Sequence, residues 1–251
     1  MRRSSAPCAT RGTGDPRGFG LGLGARAGVS SPVVNRLRNR LREWHLLKRA
    51  SAPYVRDASI GPLLVLPGVL DPVATLVGEW LAQEMAREVK PDERWVDMGC
   101  GTGVVGLAMA SAGADVICAD IDQRCVANAS ANAALHRASL TAVHSNLYSD
   151  VPEPRGLRGV VYNAPFWPGA TRSPKGGVRP FGTAMYAGPH FEAILRYRME
   201  SDRLGIPRVL LALSEDGPDH AGAVRAFGPH VLVRRGRVGR EGVVLLEATT
   251  A

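Results

Sequence analysis

The stretch Trp95-Val96-Asp97-Met98-Gly99-Cys100-Gly101-Thr102-Gly103 limits the fold more than any other part of this sequence. A short apolar segment of strand character runs into glycines at alternate positions, and the apolar run Val104 to Ala112 follows it with helical character. Glycine accepts positive φ and lets the backbone come close to a bound molecule. The helix that follows presents free N–H groups. A strand, a glycine turn and a helix in succession belong to an open α/β sheet, whose ligands sit beyond the carboxyl ends of the strands. The turn therefore reads as a nucleotide-type binding site.

The rest of the chain supplies the sheet. Strands are predicted at Leu63–Leu66, Trp95–Met98, Val116–Ala119, Thr141–His144, Gly159–Tyr162 and Arg208–Leu213. Helices are predicted at Pro72–Lys90, with Leu76, Trp80, Leu81 and Met85 inward, and at Val104–Ala112, Arg124–Leu135, His190–Leu204 and Asp219–Phe227. Val231–Arg237 and Gly242–Ala248 read as a closing hairpin. Strands alternating with helices imply a parallel sheet covered on both faces, to which the hairpin adds an antiparallel strand. The Gly/Pro-rich stretch Trp167–Pro189 carries no regular pattern, and there is no internal repeat.

Charge divides the 251 residues unevenly. Residues 1–56 hold 12 Lys/Arg against 2 acids, whereas residues 57–251 hold 19 against 21. The basicity therefore belongs to the N-terminal segment, and the body is not built to track a phosphate backbone. Residues 1–32 are rich in Arg, Gly and Ser and are expected to be a disordered basic tail. Four glycines in Gly18–Gly24 argue against the amphipathic helix of a transit peptide. Residues 33–62 read as a helix and linker, the helix spanning Val33–Ala50 with Val34, Leu37, Leu41 and Trp44 on one face. Residues 63–251 form the α/β domain. No apolar run approaches the ~18 residues of a membrane span. Cys8, Cys100, Cys118 and Cys125 make no CxxC pair, so no metal site is expected, and reduced thiols in a cytoplasmic protein are the better reading.

Two cofactors compete for the glycine turn. Gly101-Thr102-Gly103-Val104-Val105-Gly106 satisfies G-x-G-x-x-G, the pattern with which dinucleotide enzymes cradle a pyrophosphate. Asp97 argues otherwise: a carboxylate at that strand end repels a diphosphate but accepts from an ammonium group. Asp120, ending the next strand, suits two ribose hydroxyls and is compatible with either cofactor.

Asp97–Gly103 resembles the first motif of class I S-adenosylmethionine methyltransferases, and Cys118-Ala119-Asp120-Ile121-Asp122, continuing to Asn128 and Asn132, resembles the second. Val160-Val161-Tyr162-Asn163-Ala164-Pro165-Phe166 is similar to their Asn-Pro-Pro-Tyr/Phe motif. With Pro67-Gly68-Val69-Leu70-Asp71-Pro72 and Thr75 ahead of them, the pattern looks like the small methyltransferase domain family over roughly Leu63 to Thr249. The resemblance implies a Rossmann-like seven-stranded, mostly parallel sheet with helices on both faces and a C-terminal antiparallel hairpin. It implies S-adenosyl-L-methionine bound by Asp97, Gly99, Cys100, Gly101, Gly103, Asp120, Ile121, Asn146, Leu147 and Asn163. It also implies an acceptor held by Asn163, Ala164, Pro165 and Phe166. Ser145-Asn146 stands where relatives often have an acid for the adenine amino group, leaving that contact to the Asn146 side-chain carbonyl. Ala164 replaces the first proline of the motif, but the backbone carbonyl that holds the target amine survives, and Pro165 keeps residue 164 extended.

The implied reaction is direct displacement at the sulfonium methyl, with the catalysis residing in placement of the nucleophile. Release-factor methyltransferases carry a helical substrate domain, and no segment of comparable size precedes the sheet here. A nitrogen of a small molecule is therefore the first expectation for the acceptor, an RNA or protein nitrogen the second, and no membrane partner is expected. Arg172, Lys175, Arg179, Tyr186 and His190 carry no assigned role. The rival classes are a nicotinamide-dependent oxidoreductase, which leaves Asp97 and Asn163 unexplained, and an inactive cofactor-binding homologue.

Overall fold

The computed structural model describes residues 51–75, 77–170 and 181–249. The expectations for the tail at 1–32, the helix Val33–Ala50, Leu76, Arg172, Lys175 and Arg179 lie outside these residues.

A seven-stranded sheet forms the centre, in the order β5-β4-β3-β6-β7-β9-β8. Its strands are β3 (Arg94–Met98), β4 (Asp115–Asp120), β5 (Leu140–His144), β6 (Gly159–Asn163), β7 (Arg208–Ser214), β8 (His230–Val238) and β9 (Glu241–Ala248). The first five run parallel, and β9 pairs antiparallel with both β7 and β8. The fold is the Rossmann-like class expected, with element ends within about two residues of the sequence reading.

Alternating side chains of the central strands supply two cores. Trp95, Val116, Cys118, Val161 and Leu210 face one layer of helices, made of α2 (Val77–Glu88), α3 (Val104–Ser111) and α4 (Gln123–His136). Val96, Met98, Ile117, Val160, Tyr162 and Leu211 face the other, made of α6 (Glu192–Leu204) and α7 (His220–Phe227). Strands covered on both faces read as continuous apolar runs, which is why Trp95–Met98 and Arg208–Leu213 stood out in the sequence.

The strand expected at Leu63–Leu66 is β2 (Gly61–Val65), but it does not join the main sheet. It pairs antiparallel with β1 (Tyr54–Ala58), which falls inside the segment read as linker. The sequence missed β1 because its faces alternate only weakly: Val55 is exposed while Tyr54 and Arg56 turn toward Asp71. Asp71 accepts from the Tyr54 hydroxyl (3.1 Å), from Arg56 Nε (2.7 Å) and from the amides of Val73 and Ala74, so it caps the short helix α1 (Pro72–Thr75) from within.

The free edge of β2 is read by side chains of α4. Asn132 accepts from the Leu64 amide and donates to the Leu64 carbonyl, both at 2.8 Å. Asn128 accepts from the Leu66 amide and donates to the same carbonyl, also at 2.8 Å. His136 Nε2 meets the Pro62 carbonyl at 2.8 Å. Three residues at helical spacing of four thus lie along one strand edge. Asn132 donates further to the Thr102 carbonyl at 2.9 Å, tying the hairpin to the glycine turn.

Both asparagines are fully buried. Asn132→Ala strands the Leu64 amide and the Thr102 carbonyl, and an unpaired buried polar group costs about 1–3 kcal/mol. The expected loss in stability is about 2 kcal/mol or more, seen as a lower urea midpoint at unchanged m-value.

Candidate active site

The strand order reverses between β3 and β6, and the crevice at their carboxyl ends is where an open α/β sheet takes its ligand. Met98 pairs with Tyr162, so Gly99 and Asn163 are the next residues on neighbouring strands. Register alone brings the glycine turn and the Asn163 motif together.

The turn is pinned by its backbone. The amides of Gly99 and Cys100 both donate to the Ala119 carbonyl, at 2.7 and 3.1 Å. Gly101 has φ +55° with open space where a Cβ would stand, so it faces the cavity with a backbone that other residues rarely adopt. Gly103 has φ +80°, and a Cβ there would lie 2.9 Å from Ala129 Cβ, so it permits α3 and α4 to close on each other.

Asp120 ends β4 almost buried. Its Oδ2 accepts from the Gly101 amide at 3.0 Å and its Oδ1 from the Asp122 amide at 2.9 Å. The Cys125 thiol also donates to this carboxylate, and desolvation raises its pKa above the ordinary value against the pull of these bonds. Asp97 lies on the strand face that meets α3, and its Oδ2 accepts from the Gly106 amide at 2.9 Å. Burial pushes its pKa up to about 7; the Gly106 bond opposes the rise and the charge of Asp120 adds to it. Cys100 and Cys118 are hydrogen-bonded to each other, which with burial lifts the Cys100 thiol well above its usual range. Cys100, Cys118 and Cys125 are all free and buried.

Beyond Asp120, Ile121 is 48% exposed, an apolar side chain standing in the open next to a buried carboxylate. Ser145 orders the loop after β5: its amide donates to the Asp120 carbonyl, its hydroxyl donates to the Leu147 carbonyl at 2.7 Å and accepts from the Asp150 amide at 3.0 Å. Leu147 is held buried at φ +54°. The Asn146 carbonyl oxygen, expected to face an adenine amino group, accepts from Arg196 at 3.4 Å.

At the end of β6, Asn163 makes no side-chain hydrogen bond among the described residues, and its Nδ2 lies against the backbone of Gly78 on α2. Ala164 is buried. The Phe166 ring packs on Gly217, where a Cβ would come within 2.8 Å of it. The next wall was invisible in the sequence. The Trp167 amide donates to the Met185 carbonyl (3.1 Å), the Ala187 amide donates to the Trp167 carbonyl (3.0 Å), and Trp167 and Tyr186 meet edge to face with centroids 5.7 Å apart. The short helix α5 (Gly182–Met185) forms this return.

A cavity of about 410 Å³ is lined by every predicted site residue except Gly103, where a Cβ would meet Ala129. The cavity also takes in Thr75, Trp167, Tyr186, Glu192, Arg196 and Glu241. Of these, Thr75 belongs to the motif read ahead of the domain, Trp167 and Tyr186 stood in the stretch without pattern, and Glu192, Arg196 and Glu241 had no sequence signal.

Residues 70–181 match the family model of the methyltransferase small domain. Over these residues the chain is similar to the methyltransferase small domain. It is an S-adenosylmethionine-dependent methyltransferase, and the nicotinamide reading of Gly101–Gly106 falls with this match. Similar solved structures place the domain in the same fold. A T. thermophilus 16S rRNA N2 methyltransferase in complex with AdoMet and guanosine is 18% identical at TM-score 0.50, over 78% of this chain and 50% of the other. The E. cuniculi Mtq2-Trm112 complex, responsible for methylation of the termination factor eRF1, is 16% identical at TM-score 0.51, over 70% of this chain and 96% of the other. A Pyrococcus abyssi tRNA (uracil-54, C5)-methyltransferase is 12% identical at TM-score 0.51, over 79% and 45%. Among the described residues no helix of this methyltransferase is long and apolar enough to cross a membrane.

The raised Asp97 pKa has a consequence for stability. Between its ordinary value of 3.8 and about 7, the folded protein binds a proton there that the unfolded chain has released. Stability from this group is therefore fully present below about pH 4 and declines as pH rises toward 7. Asp97→Asn is expected to flatten that decline, as measured by Tm across pH 5 to 8 without cofactor.

Proposed function

We propose that this methyltransferase transfers its methyl group to a nitrogen of a small molecule, presented at Asn163 and the Ala164 carbonyl. The observation that carries the reading is the Asn163 side chain: it lines the cavity next to the glycine turn and is spent on no hydrogen bond among the described residues. Had it only tied down the turn before Pro165, its amide would be engaged there.

The residues fit the cofactor. Open space over Gly101 leaves room for a ligand against the backbone, and the Asp120 carboxylate, which accepts from two amides and the Cys125 thiol, keeps acceptor capacity for a ribose hydroxyl. Ile121 and Leu147 offer apolar surface for a base, with Asn146 at its edge. Asp97 stands behind Gly99 with a carboxylate suited to an ammonium group. When bound, the cofactor supplies a sulfonium-activated methyl group. Asn163 Oδ1 and the Ala164 carbonyl accept the two N–H groups of an amine, which turns its lone pair toward that methyl. Phe166 gives a planar acceptor a face to lie on, and its packing on Gly217 fixes the ring.

A small acceptor is favoured by the aromatic wall of Phe166, Trp167 and Tyr186 that stands in the cavity with Asn163. The excess of acids in residues 57–251 also gives no attraction for phosphates. An RNA or protein nitrogen is the second reading. The buried free thiols suit a reducing, cytoplasmic compartment.

Two variants separate the halves of the site. Asp120→Ala is expected to weaken cofactor binding about tenfold or more, since a hydrogen bond to a charged acceptor contributes about 1.5–3 kcal/mol. Asn163→Ala is expected to leave cofactor affinity nearly unchanged and lower single-turnover transfer roughly a hundredfold. Isotope from labelled cofactor, followed into small-molecule, RNA and protein fractions of an extract, reads the acceptor class. Absence of transfer into every fraction would leave the chain a cofactor-binding homologue.

A further inference from the structure

The chain beyond Asn163 builds a wall whose exposed chemistry is that of aromatic rings. Pro168 biases Trp167 toward extended backbone, and Trp167 pairs in parallel with Tyr186. The Trp167 amide donates to the Met185 carbonyl at 3.1 Å, and its carbonyl accepts from the Ala187 amide at 3.0 Å. Two residues on, the Gly169 amide donates to the Gly188 carbonyl at 3.1 Å. Gly169 has φ +135°, and a Cβ there would come within 3.3 Å of the Tyr186 ring, so its absence lets that ring lie over the backbone. The Trp167 and Tyr186 rings meet edge to face at 90°, with centroids 5.7 Å apart. An edge-to-face pair leaves at least one face of each ring uncovered by the other. Both residues are half-buried and line the cavity that holds Asn163.

The backbone groups of this wall bond to one another. Besides the bonds of Trp167, the Tyr186 amide donates to the Gly182 carbonyl, and the Ala187 carbonyl accepts from the Ala193 amide. The Gly188 carbonyl accepts from Phe191 as well as from Gly169. Phe181, Ala184 and Met185 add apolar lining beside the two rings. A ligand group rich in hydroxyls would have to give up its water for few partners here, which costs free energy. A flat aromatic ring gives up little and gains contact with a ring face. Phe166 is placed differently, because its Cδ2 and Cε2 edge is turned to Gly217. Four residues separate Asn163 from Trp167, so their backbones stand no more than about 14 Å apart. A ring anchored at Asn163 reaches the Trp167 side chain, whose own length covers part of that span.

We propose that Trp167, braced by Tyr186, is the residue that selects the acceptor, and that it does so by seating an aromatic ring. This rests on the reading of Asn163 and the Ala164 carbonyl as the groups that hold the acceptor nitrogen. The substrate class is then a small aromatic compound with its N–H groups on or beside the ring, as against an aliphatic amine or amide of the same size. Asn163 chooses the nitrogen and Trp167 chooses what the nitrogen is attached to.

The test uses the full chain saturated with S-adenosylhomocysteine and two uncharged probes, benzamide and cyclohexanecarboxamide, titrated by ligand-observed NMR. Both carry the same planar amide with two N–H groups, and they differ only in whether the ring is aromatic. Benzamide is expected to bind about threefold or more tighter, the range of one aromatic contact. Trp167→Leu should bring that ratio close to one while leaving cyclohexanecarboxamide affinity nearly as it was. Trp167→Phe, which keeps a ring, should retain part of the preference. Cofactor affinity within about twofold of the parent reports that each variant is folded. Equal binding of the two probes by the parent overturns the proposal, and so does a ratio that Trp167→Leu leaves unchanged. Asn163→Ala run beside them tells the two ideas apart, since it should weaken both probes alike and leave their ratio intact. If it does so while the ratio ignores Trp167, only the Trp167 assignment fails. If it weakens neither probe, the reading of Asn163 fails whatever the ratio shows. If neither probe binds the parent, the acceptor reading fails and this inference with it.

Discussion

The side-chain amide of Asn132 holds together parts of the molecule that no backbone ladder connects. It satisfies both polar groups of Leu64 on β2 and the carbonyl of Thr102 in the glycine turn. A buried strand edge carries unpaired amides and carbonyls that must find partners. Here a helix supplies them, because asparagine presents a donor and an acceptor in the spacing of a peptide group. The position of the Pro67–Thr75 wall, and with it one side of the cavity, follows from that match.

A second constraint comes from charge. Asp97 and Asp120 lie on neighbouring parallel strands, and burial raises the pKa of each, the charge of Asp120 adding to the rise at Asp97. Backbone amides of Gly101, Gly106 and Asp122 are aimed at them, which keeps the pair tolerable without a protein cation between them. Such an arrangement suits a cationic ligand better than a diphosphate, and it agrees with the family match on residues 70–181.

Much of this was legible in the sequence for physical reasons. The central strands are covered on both sides, so their composition is apolar throughout and their ends are marked by Gly, Asp and Asn. The glycine turn, Asp120 and the Asn163 motif sit at strand ends whose places are fixed by the crossover rule, so their convergence could be read before any coordinates. Gly103 also permits the α3–α4 approach, a role that depends on Ala129, 26 residues away, and has no local signal. β1 escaped because its partner interactions are polar and distant in sequence. Glu241 and the Trp167–Tyr186 wall escaped because nothing local announces them; they enter the site only through strand pairing and the return of α5.

The separation of the β1–β2 hairpin from the seven-stranded sheet bears on how the cavity opens. Lifting β3 or β6 away would break ladders shared with strands on both sides, at nearly the cost of global unfolding. Lifting the hairpin and the Gly68 wall breaks no ladder of the main sheet, but it frees the bonds of Asn128, Asn132 and His136 and exposes Leu63, which is fully buried in the core. The floor of the site is thus held by strand ladders and its wall by side chains of α4 and the buried Leu63. The wall can therefore be altered by substitutions on α4 while the strand ends that align the reacting groups keep their register.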